Sequence, residues 1–117
     1  MKQIEEMAVK NQQKAWEIIR DTNIMGIWQD AGATINLVGS LKTGLLVKHR
    51  DIDFHIYSER VAIPDSFAAI SKLAEHPRIK QVQYGNLLDT QEKCIEWHAW
   101  YEDDCGKLWQ LDMIHII

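Results

Sequence analysis

Between Asp51 and Tyr57 the chain alternates without a break. Ile52, Phe54 and Ile56 fall on one side, and Asp51, Asp53, His55 and Tyr57 on the other. A period of two is the signature of a strand with one buried and one polar face. The apolar row demands a covering layer, and the acidic row opposite it demands a counter-charge. Asp51 and Asp53 project from the same face, about 6.5 Å apart along the strand. Left alone they repel, and burial drives one of them to take a proton. A hard divalent cation such as Mg²⁺ reverses that preference, because it is held by carboxylate oxygens.

Upstream, Ile35, Leu37 and Val38 supply a first strand that Gly39-Ser40 ends. Gly39 allows a tight turn and a close approach of ligand to backbone. Ser40 offers a hydroxyl and an amide at the start of a short helix expected over Leu41–Leu46, where amides point at anions. A phosphate at this turn would be bridged to the carboxylates by the metal. Lys42, Lys48 and Arg50 cluster beside it. The chain as a whole carries a net charge of −4. A local basic patch on an acidic protein suits a small anionic ligand and argues against binding of extended nucleic acid.

The length of 117 residues is that of one domain spanning 1–117. Residues 2–22 are expected to form an amphipathic helix, with Ile4, Met7, Ala8, Ala15, Ile18 and Ile19 on one stripe. Asp21-Thr22-Asn23 breaks it and caps a short helix through Trp28, so Trp16 and Trp28 are expected on buried helix faces. Pro64 opens a helix to about Glu75 that turns Phe67, Ala68, Ile70 and Leu73 inward. Strands are expected over Arg78–Tyr84, Cys94–Glu102 and Lys107–Ile116. Gly85-Asn86 is read as a turn and Asp103–Gly106 as a hairpin. The result is an α+β domain: a mixed sheet of four or five strands flanked by helices.

Asp112 stands alone in the apolar last strand, where a charge is costly unless it is paired or metal-bound. Glu96 and Glu102, on the preceding strand, are weaker candidates. His55 and His98 can reach one face of the sheet, while His115 alternates to the side opposite Asp112. No histidine pairs with a cysteine at zinc-site spacing. Trp97 and Trp100 face opposite sides of their strand. Cys94 and Cys105 read as two reduced thiols, no apolar run is long enough to span a membrane, and the N-terminus lacks a signal-peptide core, which points to the cytoplasm.

Gly39-Ser40, ten intervening residues, then Asp51-Ile52-Asp53-Phe54 resembles the signature of the DNA polymerase β-type nucleotidyltransferase superfamily. His49-Arg50-Asp51-Ile52-Asp53 is similar to the same segment of small lincosamide and aminoglycoside nucleotidyltransferases and of minimal nucleotidyltransferases. The resemblance implies a third carboxylate from a later strand, and Asp112 is the matching position. It implies that Asp51, Asp53 and Asp112 hold Mg²⁺, with Mn²⁺ as a substitute. Gly39 and Ser40, with Lys42 or Arg50, bind the phosphates of ATP or another nucleoside triphosphate. The implied reaction moves a nucleoside monophosphate to a hydroxyl of an unidentified small molecule or protein, with Asp112 assisting as base. Two alternatives stand beside it: an idle nucleotide-binding or interaction domain, and the antitoxin half of a toxin–antitoxin pair. Enzymes with this motif continue into acceptor-binding helices, whereas this chain stops five residues past Asp112. A homodimer mate, a helical partner protein or a longer chain is expected to complete the site.

Overall fold

The computed structural model describes residues 2–43, 50–60 and 62–116. In chain order these form α1 (Lys2–Thr22), α2 (Ile24–Asp30), β1 (Thr34–Val38), α3 (Ser40–Thr43), β2 (Asp51–Tyr57), α4 (Ile63–Ala74), β3 (Ile79–Asn86), β4 (Cys94–Glu102) and β5 (Leu108–Ile116). The strands make one mixed sheet ordered β1-β2-β5-β4-β3. β2 and β5 run parallel and the other neighbours antiparallel. The fold is thus the expected α+β arrangement, with five strands.

Alternation divides the sheet into two unlike faces. Ile52, Phe54 and Ile56 of β2, Leu111 and Met113 of β5 and Ile95 of β4 are fully buried. The longer helices cover this face. Trp28 of α2 meets His115 edge-on at 5.2 Å, Phe67 of α4 meets Trp97 at 4.8 Å, and the Tyr101 hydroxyl donates to Asp21 of α1 at 2.5 Å. The opposite face, carrying Asp53, His55, Asp112, His98 and Trp100, is half-buried.

Several local expectations are corrected. Trp16 is 44% exposed, because α1 turns the stripe Ala15-Ile18-Ile19-Thr22 to the core and leaves Trp16 on its flank. Phe67 and Ala68 are also exposed; α4 buries Ser66, Ala69, Ile70 and Leu73, a stripe at helical spacing that includes small residues. No side chain caps α2, since Asn23 adopts a left-handed conformation (φ 53°) and makes the corner with its backbone. Gly85 and Asn86 do not turn but pair with Glu96 and Ile95 as the last residues of β3. The short helix is described over Ser40–Thr43, and the remainder of the expected 41–46 span, with Lys48, lies outside the described residues.

β3 also contains a register shift between Ile79 and Gln81. Ile79 and Val82 are three apart and would otherwise face opposite sides. The extra residue of the bulge lets Ile79, Val82 and Tyr84 pair with Tyr101, Ala99 and Trp97 of the covered face.

Beneath α2 and α4 lies a buried polar chain. Trp97 Nε1 donates to Ser66 Oγ at 2.7 Å, which lies 3.2 Å from His115 Nδ1. His115 Nε2 lies 2.7 Å from Ser58 Oγ, whose proton goes to the Arg60 carbonyl at 3.0 Å. Ser58 therefore accepts from Nε2–H, and neutral His115 accepts from Ser66 at Nδ1. This ordering leaves no basic nitrogen facing Ser58, so the pair is a structural tie and not a nucleophile with its base. Burial pushes the His115 imidazole below the ordinary histidine value of 6.5, against a small opposing pull from Asp65. Between that lowered value and 6.5 the unfolded chain binds a proton that the folded chain refuses. Stability from His115 is therefore complete above 6.5 and falls as the pH drops below it. Urea titrations at pH 7.5 and 5.5 should show the wild type losing stability relative to His115→Gln as the pH falls, since the other titrating groups are common to both proteins.

Candidate functional site

Because β2 and β5 run parallel and in register, Asp53 lies directly beside Asp112, and Asp51 beside Gln110. Antiparallel β4 then sets His98 against Asp112 from the other side. On β1, Val38 is the partner of Asp53, so the turn at Gly39 begins at the same level of the sheet. One row across the open face thus carries, in order, the Gly39 turn, Asp53, Asp112 and His98.

The turn and the carboxylate touch. Gly39 has φ +80°, and a Cβ built on it would lie 2.9 Å from Asp53 Oδ2. Only glycine leaves this space while adopting that conformation. Gly39→Ala should cost about 1–2 kcal/mol for the left-handed backbone alone, before any displacement of Asp53, as a urea titration will measure.

Burial is the main cause that lifts the Asp53 carboxyl from 3.8 to about 6. A hydrogen bond with Asp112 and the negative charges of Asp112 and Asp51 add to it, while His98 opposes. Beside a second carboxylate, Asp53 holds its proton more tightly than a free aspartate does. Asp112 Oδ1 also accepts from Gln110 Nε2 at 2.7 Å and from His98 Nδ1. The far ring nitrogen of His98, Nε2, bonds Glu96 Oε1. Burial works against charge on His98, but the bonds and charges of Asp112 and Glu96 outweigh it and hold the ring above the ordinary histidine range.

The structure therefore brings Asp51, Asp53 and Asp112 to one face, with the Gly39 turn against Asp53. Ser40 starts α3 next to that turn, and Lys42 is exposed two residues on. Arg50 is not drawn into the group. Its Nε donates to the Leu108 carbonyl at 3.2 Å, and it lines a cleft with Lys10, Lys14 and Trp109, a residue of the covered face. His55 shares the open face, 3.5 Å from the Tyr57 hydroxyl. Gln110 went unnoticed in the sequence, although its place two residues before Asp112 on the same face was the available signal. His98 and Glu96 were visible as polar residues on β4, but their partners depend on the β4–β5 register.

A second acidic group, Asp103-Asp104-Cys105, sits at the hairpin between β4 and β5. Asp103 is taken up by the turn: Oδ1 accepts from the Cys105 and Lys107 amides at 2.9 Å each, and Oδ2 from Trp109 Nε1 at 3.1 Å. Asp104 pairs with Lys14 at 2.9 Å. Both cysteines are free thiols. Among the described residues, no helix is long and apolar enough to cross a membrane.

No protein-family model matches this sequence, and no curated protein matches it. Solved structures do. The polymerase core of TRAMP, an RNA surveillance complex, superposes with a TM-score of 0.53 at 16% identity over 91% of this chain and 31% of its own. The non-canonical poly(A) polymerase complex GLD-2–GLD-3 superposes with a TM-score of 0.51 at 11% identity over 90% of this chain and 39% of its own. The chain thus spans about a third of the length of these structures. At such identities the likeness speaks for the fold. The chain shares the fold of these polymerase cores.

Proposed function

We propose that this domain transfers a nucleoside monophosphate from ATP, or another nucleoside triphosphate, to a hydroxyl group, forming an oxygen–Pα bond as the bond from Pα to the β-phosphate breaks and pyrophosphate leaves. The observation that carries this reading is the place of Asp53, against the Gly39 turn on one side and beside Asp112 in the sheet on the other. A tight glycine turn and a carboxylate cluster then meet within one row of the sheet. The donor set is all carboxylate, which fits magnesium and, second, manganese. A cation between these carboxylates would relieve the repulsion that raises the Asp53 carboxyl.

In this reading Asp51, Asp53 and Asp112 hold the metal. When bound, it supplies neutralisation of phosphate charge and a more acidic acceptor hydroxyl. Gly39 and Ser40 orient the triphosphate, and Lys42 lies near enough along the chain to add positive charge. Asp112 accepts the proton of the acceptor hydroxyl. The acceptor, a small molecule or a protein, approaches over the half-buried face. Two free thiols and the lack of a membrane-crossing helix among the described residues support a cytoplasmic setting.

The test is calorimetry of ATP binding in excess magnesium and in chelator, followed by acceptor screening with labelled ATP. Binding that needs magnesium is the expected result. Equal affinity in chelator would leave a nucleotide-binding domain without this chemistry.

A further inference from the structure

Asp112 is restrained through one oxygen. Oδ1 receives both Gln110 Nε2, at 2.7 Å, and His98 Nδ1, while His98 Nε2 is itself anchored on Glu96 Oε1. The imidazole is therefore held at both nitrogens, with 20% of its side chain exposed. It cannot rotate without losing one of its two carboxylate partners. It stands on the half-buried face, with the Trp100 ring 6.2 Å away and both of its nitrogens bonded to carboxylates.

We propose that His98 is a positioning residue, whose Nδ1–H fixes the Asp112 carboxylate in one rotamer and leaves Oδ2 as the oxygen offered to a divalent cation shared with Asp53. Glu96 acts one step further out by orienting the ring. The proposal rests on the nucleotidyl-transfer reading, in which Asp112 is a ligand. It adds the group that makes a lone carboxylate on a strand a preorganised one. Partners behind a ligand set both its orientation and its affinity, and their removal commonly costs about 10–100-fold in metal binding.

The two ring nitrogens can be told apart by substitution. An asparagine amide reaches the position of Nδ1, and a glutamine amide that of Nε2. Mn²⁺ binding by calorimetry, with and without ATP, should be about 10–100-fold weaker in His98→Ala than in the wild type. It should be largely recovered in His98→Asn and not in His98→Gln. Melting curves should show all variants folded. If His98→Ala melts early, the Asn and Gln variants, closer in size to histidine, carry the comparison. Wild-type affinity in His98→Ala, or equal recovery by Asn and Gln, would overturn the positioning role while leaving the carboxylate site intact. A wild-type protein that takes up no Mn²⁺ under either condition would bring down the reading of the site itself, and this role with it.

Discussion

Asp53→Asn should abolish nucleotidyl transfer and yet make the protein harder to melt. The loss of activity is expected to exceed about 100-fold, the upper range for removing a group that merely orients a ligand. The gain in stability follows from where Asp53 sits. Burial first, then Asp112 and Asp51, lift its carboxyl from 3.8 to about 6. A raised acid binds more protons folded than unfolded, so its contribution is complete below 3.8 and is lost as the pH rises through 6. At pH 7.5 the ionised side chain opposes folding by on the order of 2 kcal/mol. Asparagine carries no charge and can still donate a hydrogen bond to Asp112. The variant should therefore melt roughly 5–10 °C higher than wild type at pH 7.5. Near pH 4 the difference should vanish. Magnesium should raise the melting temperature of the wild type and not that of the variant. Calorimetric scans at the two pH values decide the matter, and an Asn variant that melts earlier at both would refute a repulsive carboxylate cluster. A site that gains stability when its function is removed is the expected trade of a functional centre.

Trp97→Ala should cost about 3–5 kcal/mol, the range for truncating a large buried aromatic side chain. Trp97 is 1% exposed and packs between Phe67 at 4.8 Å and Tyr84 at 4.9 Å. Its indole N–H also satisfies Ser66, which holds the His115 chain in order. Truncation leaves a cavity between α4 and β4 and an altered polar network at its floor. Total stability of a domain this size is about 5–15 kcal/mol, so one substitution removes a large share of it. Trp97→Phe should fall between wild type and alanine, since a ring remains but the hydrogen bond does not. Urea denaturation followed by near-ultraviolet circular dichroism measures both. A change below about 1 kcal/mol for alanine would mean that the α4–β4 contact contributes little.

The strand alternation of Asp51–Tyr57, the bounds of β4 and the α+β class were legible because each is a local pattern, set by backbone period and by turn residues such as Gly39 and Gly106. The candidate carboxylates Asp51, Asp53 and Asp112 were legible too, two by alternation and one by its isolation in an apolar strand. Where the reading failed, the cause was not local. Phe67 looked like core because it is large, but the rotation of α4 was decided by its fit to the sheet, which favoured the smaller Ser66 and Ala69. Trp16 lost its place to a stripe only one residue away. The bulge in β3 arises from pairing with β4, and no feature of the strand itself marks it.

The amino-acid sequence by itself determined which residues could share a face, since a strand side chain has only two sides to choose from. Only the tertiary structure decided which faces meet. Parallel pairing of β2 with β5, two strands far apart along the chain, sets Asp53 beside Asp112. Antiparallel β4 then delivers His98 to the same carboxylate. Arg50 illustrates the reverse: adjacent to Asp51 in the chain, it leans toward the cleft beside α1 and Trp109. Register is fixed by burying the apolar rows of β1, β2, β5 and β4 under one helical layer, a condition on the whole sheet that no single segment carries.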